Sequence, residues 1–191
     1  STVRRRLYAI RKAHRLLNLP DPTYDEDINI TYRRIRRAKF GRPKQAKGLT
    51  RKYLDAFLAV QPDTPIGLRN RAMLMLGYEL LTRRSELVAL TTDDIECRDD
   101  GTLRVIIRRS KADPFGEGRI AFTSTKTASL VKDWLAWRGP HIRYLFCPIY
   151  QGKAIQRSLS TTSVKSLIKD AARKAGLEPE VVQDFSGHSL R

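Results

Sequence analysis

The sequence predicts a mainly α protein with a small antiparallel β-sheet, an α+β unit preceded by a separate helical piece. Three observations lead there. Apolar residues recur at helical spacing through most of the chain. The period gives way to β-branched runs only around 103–122. A basic, turn-rich stretch with almost no apolar content, Gly41-Arg42-Pro43-Lys44-Gln45-Ala46-Lys47-Gly48, divides the chain.

Before that stretch, Val3, Leu7, Ile10, His14 and Leu17 predict a helix over about 3–17, ended by Leu19-Pro20-Asp21-Pro22. A second helix, about 27–39, has a thin apolar stripe of Ile28, Ile35 and Ala38. Arg33, Arg34, Arg36 and Arg37 crowd its other faces. Two helices cannot enclose a core, so this first unit is expected to be incomplete or to borrow surface from the second.

After the stretch, a helix over about 49–59 starts at Thr50, a good N-cap. A longer one, about 67–80, carries Met73, Leu74, Leu76 and Leu80, and 85–90 adds a further turn or two. The β-branched runs 103–107 and 120–122 flank the turn-rich Asp113-Pro114-Phe115-Gly116-Glu117-Gly118 and predict a hairpin or small meander. Helices follow over about 125–138 and 161–175, with a short buried segment at 145–147 between them. Gly176 stands where the last helix needs a positive φ. The expected organisation is a partial helical unit over 1–40, a basic linker over 41–48 and a second unit over 49–191.

Of the 191 residues, 41% are hydrophobic, enough for a core. Lys and Arg number 37 against 20 Asp and Glu, a net charge of +17. Residues 1–48 hold 14 of the basic and 4 of the acidic residues, more than half of the excess. That balance argues against an ordinary neutral metabolic enzyme and for a polyanionic partner. Nucleic acid leads, because each neutralised phosphate releases counterions. An anionic membrane surface is less favoured without a long, cleanly amphipathic helix, and no run is long and apolar enough to span a bilayer. Ser1–Arg6 lacks the apolar stretch of a signal peptide. Cys97 and Cys147 have no metal-site spacing and fit a reduced, cytoplasmic protein without disulfides.

Three segments carry candidate chemistry. In Leu81-Thr82-Arg83-Arg84-Ser85-Glu86-Leu87, followed by Asp93-Asp94-Ile95, Arg83 lies between an apolar helix and a short one. Its guanidinium fork suits two oxygens of one phosphate, and Glu86, three residues on, can orient it; an exposed ion pair is the alternative. Arg84 is expected to point elsewhere, as a surface or DNA-backbone charge. In Arg108-Arg109-Ser110-Lys111, Lys111 lies where a strand meets the turn-rich tip, and desolvation in a cleft would let it give up a proton; a solvated strand-end lysine is the alternative. In Gly187-His188-Ser189-Leu190-Arg191, His188 and Arg191 would share a helical face, and Gly187 permits an unusual backbone or a close approach. A capping histidine is the alternative there.

The ordered set Arg83-x-Ser85-Glu86-Leu87, then Lys111, then Gly187-His188-x-x-Arg191 resembles the tyrosine recombinase (phage integrase) family. Arg33-Arg34-Ile35-Arg36-Arg37 with its basic linker is similar to the core-binding region of the Cre-like branch. The resemblance implies a C-shaped clamp on double-stranded DNA, cleaved and rejoined through a 3′-phosphotyrosine without metal or nucleotide cofactor. It gives Arg83 and Arg191 the phosphate, Lys111 the general acid, His188 a phosphate contact with proton transfer, and Glu86 the support of Arg83. Arg33, Arg34, Arg36, Arg37, Arg42, Lys44 and Lys47 become the DNA-binding residues. It also implies a tetramer on two DNA sites, accessory DNA-bending proteins as possible partners, and a bacterial nucleoid or an infected cell as the setting.

The family nucleophile follows the His-x-x-Arg motif by some tens of residues. Tyr8, Tyr24, Tyr32, Tyr53, Tyr78, Tyr144 and Tyr150 all precede it here. The expectation is therefore a recombinase fragment, truncated in both domains, that binds DNA but does not cleave in cis. A DNA-binding module derived from such enzymes, a type IB topoisomerase relative and a basic RNA-binding protein remain alternatives.

Overall fold

The structure is a computed structural model and describes residues 2–38, 45–108 and 118–190. The chain forms two compact units, divided between Lys44 and Gln45.

The first unit holds α1 (Thr2–Leu16) and α2 (Glu26–Ala38), joined through a 3-10 turn at Pro22–Tyr24. Asp21 begins that turn by accepting from the backbone and hydroxyl of Thr23. Asp25 caps α2, its Oδ1 accepting from the amides of Asp27 and Ile28. Neither helix contributes a buried residue. Thr23 alone is buried among the unit's described residues. The side chains meet instead through cations over rings: Arg11 lies 4.7 Å from the Tyr24 ring centre and 5.7 Å from that of Tyr8.

The second unit begins with α3 (Arg51–Ala59) and α4 (Pro65–Glu79). Thr50 and Thr64 cap them, each hydroxyl accepting an amide three residues on. Ala72 to Gly77 are all buried, so α4 is covered on every side and forms the centre of the unit. Short α5 (Arg84–Ala89) leads through a 3-10 turn (Thr92–Asp94) into a three-stranded antiparallel meander. It comprises β1 (Ile95–Cys97), β2 (Leu103–Ile107) and β3 (Arg119–Phe122), with β2 central. Val105 faces Ile95 on one side and Ala121 on the other.

Next comes α6 (Thr125–Arg138), packed along α4. Trp134 is fully buried and donates its indole N–H to the Leu145 carbonyl at 2.7 Å. A two-stranded hairpin, β4 (Ile149–Tyr150) and β5 (Lys153–Ala154), precedes α7 (Thr161–Lys174), which packs on α3 and α5. Gly176 has φ +74°, as its place after α7 requires. The last helix is α8 (Pro179–Asp184). One core joins these elements, from Leu54 and Phe57 through Met73–Leu76, Leu87, Val105 and Val131 to Ile168, Phe185 and Leu190.

The mainly helical expectation with a small antiparallel sheet holds. The sequence reading lacks β1, three residues long, the β4–β5 hairpin, with two residues in each strand, and α8, six. The buried segment at 145–147 is as expected, with Leu145, Phe146 and Cys147 all fully buried. Burial pushes the Cys147 thiol above its ordinary range, against the opposing pull of Arg138 and Arg69.

Candidate active site

The site is built where α4 turns into α5. Leu81 takes φ +48°, and the chain reverses so that Arg83 becomes the N-cap of α5. Glu86, one turn into the helix, uses both carboxylate oxygens on Arg83. Oε2 accepts from the Arg83 backbone N–H at 2.9 Å, and Oε1 accepts from Nη1 at 2.6 Å. The Glu86 side chain is 5% exposed and that of Arg83 23%. This is therefore not an exposed ion pair: a buried carboxylate fixes both the backbone and the guanidinium of Arg83. The remaining edge of the guanidinium, Nε and Nη2, makes no hydrogen bond to described residues, which leaves a donor pair for an oxyanion.

The base of the β2–β3 hairpin is tied to both flanks of this segment. Arg108, at the end of β2, donates through Nε to Asp94 Oδ1. The other oxygen of Asp94 accepts from the Thr91 amide and hydroxyl, each at 2.8 Å. Arg119, at the start of β3, donates to the Leu80 carbonyl at the end of α4. A cleft of about 310 Å³ lies between α5 and β2, with Ser85, Glu86, Ile107 and Arg108 on its walls. Asp94 and Arg108 lie in segments named from sequence but were given no role there, and Arg119 was not named. The Thr91-x-x-Asp94 spacing is a capping-box signature and marks Asp94; nothing local marks Arg119. Lys111, expected where a strand meets the turn-rich tip, lies outside the described residues, as do Arg109, Arg42, Lys44 and Arg191.

His188 stands on a tight turn. Residues 187–190 are turns, closed by Ser189 N–H donating to Ser186 O at 3.0 Å; the helical face expected to join His188 to Arg191 extends outside the described residues. The Ser186 amide donates to Ser189 Oγ at 2.9 Å, and the His188 amide donates to Ser186 Oγ at 3.1 Å. His188 is exposed, while Gly187, Ser189 and Leu190 on either side are buried. Gly187 has no positive φ, so an unusual backbone is not its reason. A Cβ there would lie 2.8 Å from Arg84 Cδ. Arg84 therefore does not point away: its stem lies against the His188 turn, which brings the first and third candidate segments together. Leu190 anchors the turn from behind, its Cδ1 only 2.8 Å from where a Cβ on Gly77 would sit.

Arg33, Arg34, Arg36 and Arg37 are all exposed on α2. Lys47 is half-buried, with its ammonium 5.0 Å from the Tyr53 ring centre and its amide donating to Asp184 O. Of the tyrosines, Tyr53 packs on Phe57 and Phe185, and Tyr8 and Tyr24 lie under arginines. Among the described residues, no group of three His, Cys, Asp or Glu is placed to hold a metal ion. None of the described helices is long and apolar enough to cross a membrane.

The second unit thus joins a small meander, an arginine braced by a buried glutamate and a histidine turn packed against the neighbouring arginine, on a strongly basic chain. The family model described as "Phage integrase family" matches residues 47–191, and the chain belongs to that family. Among curated relatives, it is 31% identical to an integrase/recombinase XerD homolog of Selenomonas ruminantium, over the whole of this chain and 58% of the relative. It is 28% identical to the Cre recombinase of Escherichia phage P1, over the whole chain and 60% of that protein. It is 38% identical to tyrosine recombinase XerD of Xanthomonas campestris, over 76% of this chain and 44% of the relative. The chain thus spans less than two thirds of the length of these relatives. Among solved structures, XerH recombinase in a post-cleavage complex with its palindromic difH substrate matches with a TM-score of 0.57 at 21% identity, over 77% of this chain and 40% of that one. XerA recombinase matches at 0.56 and 18%, over 96% of this chain and 55% of that one. These likenesses concern the fold.

Proposed function

We propose that this chain binds double-stranded DNA and carries the phosphate-binding side of a site-specific tyrosine recombinase. The observation that carries the reading is Arg83, fixed at backbone and guanidinium by the buried Glu86, with its Nε and Nη2 donors unbonded among the described residues. In the proposed reaction a tyrosine oxygen attacks the scissile phosphorus and the 5′-oxygen leaves. A 3′-phosphotyrosine forms, and Lys111 gives its proton to the leaving oxygen. Arg83 and Arg191 neutralise the phosphoryl oxygens as charge builds on them, and His188 contacts the same phosphate. Preorganised donors of this kind each contribute about 10²–10³ in rate. Glu86 spares Arg83 any reorganisation at that moment.

None of the seven tyrosines in residues 1–191 follows the His-x-x-Arg motif, so cleavage requires a tyrosine from further along the protein or from a second protomer. Residues 1–191 alone are proposed to bind without cutting. Arg33, Arg34, Arg36, Arg37, Arg42, Lys44 and Lys47 supply the sequence-independent grip on the phosphates. A tetramer on two sites is the proposed working form of the complete enzyme, with DNA-bending proteins as possible helpers.

The test is selection of bound duplexes from a randomised library, followed by competition with an RNA hairpin of equal charge. The reading predicts a reproducible duplex sequence, and RNA binding at least ~10-fold weaker. Equal affinity for both would contradict it.

A further inference from the structure

We infer that Arg84 is a positioning residue: its aliphatic stem, not its charge, seats the Gly187–His188 turn against the segment that presents Arg83. The contact stands on its own geometry, while its consequence for DNA rests on the phosphate-site reading above.

Arg84 is the first residue of α5 and directly follows Arg83, whose amide is held by Glu86. The direction in which the Arg84 side chain leaves the backbone is therefore set. Its Cδ, Cβ and Cγ lie 2.8, 3.4 and 3.6 Å from the position a Cβ on Gly187 would occupy. Since φ at Gly187 is not left-handed, glycine is demanded there by space alone. A side chain there would collide with Cδ, the last carbon of the Arg84 stem, so the stem or the turn would have to shift.

The opposite side of the turn is already fixed. The Leu49 amide donates to Ser189 O at 2.8 Å, and Leu190 sits on Gly77 and close to Leu87. With the Arg84 stem added, the turn is gripped from two sides and the exposed His188 is left to face outward beside the Arg83 segment. Among the described residues Arg84 makes no ion pair, so the contact seen there is that of its stem on the turn. A methionine offers a similar stem without the charge.

The experiment follows the His188 ring signals and the amide exchange of residues 186–190 by NMR in the full chain. Arg84→Met should leave both close to wild type. Arg84→Ala should speed exchange at Ser189 and Leu190 at least ~10-fold and move the ring signals toward those of an unpacked histidine. Gly187→Ala should do the same by expelling the stem. Because the two changes break one contact, the double variant should be no worse than the worse single. A wild-type turn in R84A or in G187A, or fully additive effects, would overturn the inference. If R84A fails to fold, as read by Trp134 fluorescence, the G187A chain decides alone. A saturating 30-base-pair duplex is then added. Wild type and R84M should show His188 ring shifts that R84A loses. A wild-type ring indifferent to the duplex would count against the phosphate-site reading, while the exchange rates without DNA still decide the role of Arg84.

Discussion

The two units are built on opposite principles. Residues 45–191 enclose a continuous apolar core around α4, and their site is an outgrowth of that core: Glu86, Gly187 and Leu190 are all buried. Residues 2–38 bury a single threonine and leave Tyr8, Ile10, Leu16, Leu17, Leu19, Tyr24 and Ile30 exposed. The first unit holds its shape by caps, by the Arg11–Asp21 pair at 3.5 Å and by arginines over tyrosines. Apart from the largely covered Asp21, these contacts lie near solvent and contribute little individually. The contrast teaches where the two units put their arginines: the cored unit holds Arg83 against a buried carboxylate, and the first unit leaves Arg33, Arg34, Arg36 and Arg37 exposed on α2.

The largest effect that would break this comparison is in the core. Trp134→Ala should cost about 3–5 kcal/mol by urea unfolding, since it empties a fully buried site and orphans the Leu145 carbonyl. A loss under about 1 kcal/mol would mean the core is not the organiser described. Next, both tryptophans, 134 and 137, lie in the second unit. Thermal melts followed by tryptophan fluorescence and by far-ultraviolet dichroism should therefore not coincide, with part of the helix signal lost first. Coincident curves would show the first unit to be as firmly held as the second. A smaller effect is expected at Glu86→Gln, about 1–3 kcal/mol, because an amide nitrogen must then face an arginine donor. Smallest is Ile10→Ala in α1, within about 0.5 kcal/mol, since Ile10 is already 42% exposed.

Most helices could be read from sequence because their caps and periodicity are local: Thr50, Ser124 and Ser160 each accept the amide three residues on. β1 and α8 escaped because three and six residues carry too little periodicity, although Pro179 marks the first turn of α8. The Arg83–Glu86 pairing was readable because three residues on a helix are neighbours. The seat of Arg84 was not, since Gly187 lies 103 positions away in the chain and only the packed fold brings them together. The Arg119 bond to Leu80 O is long-range for the same reason.

The central claim is that Arg83, braced by Glu86, holds one DNA phosphate. It is tested most directly by replacing each phosphate of a selected duplex with a neutral methylphosphonate and measuring affinity for wild type and Arg83→Gln. The account predicts one position where neutralisation weakens wild type markedly and R83Q hardly at all, so that the two losses are not additive. Additive losses at every phosphate would show that Arg83 touches none of them and would contradict the account.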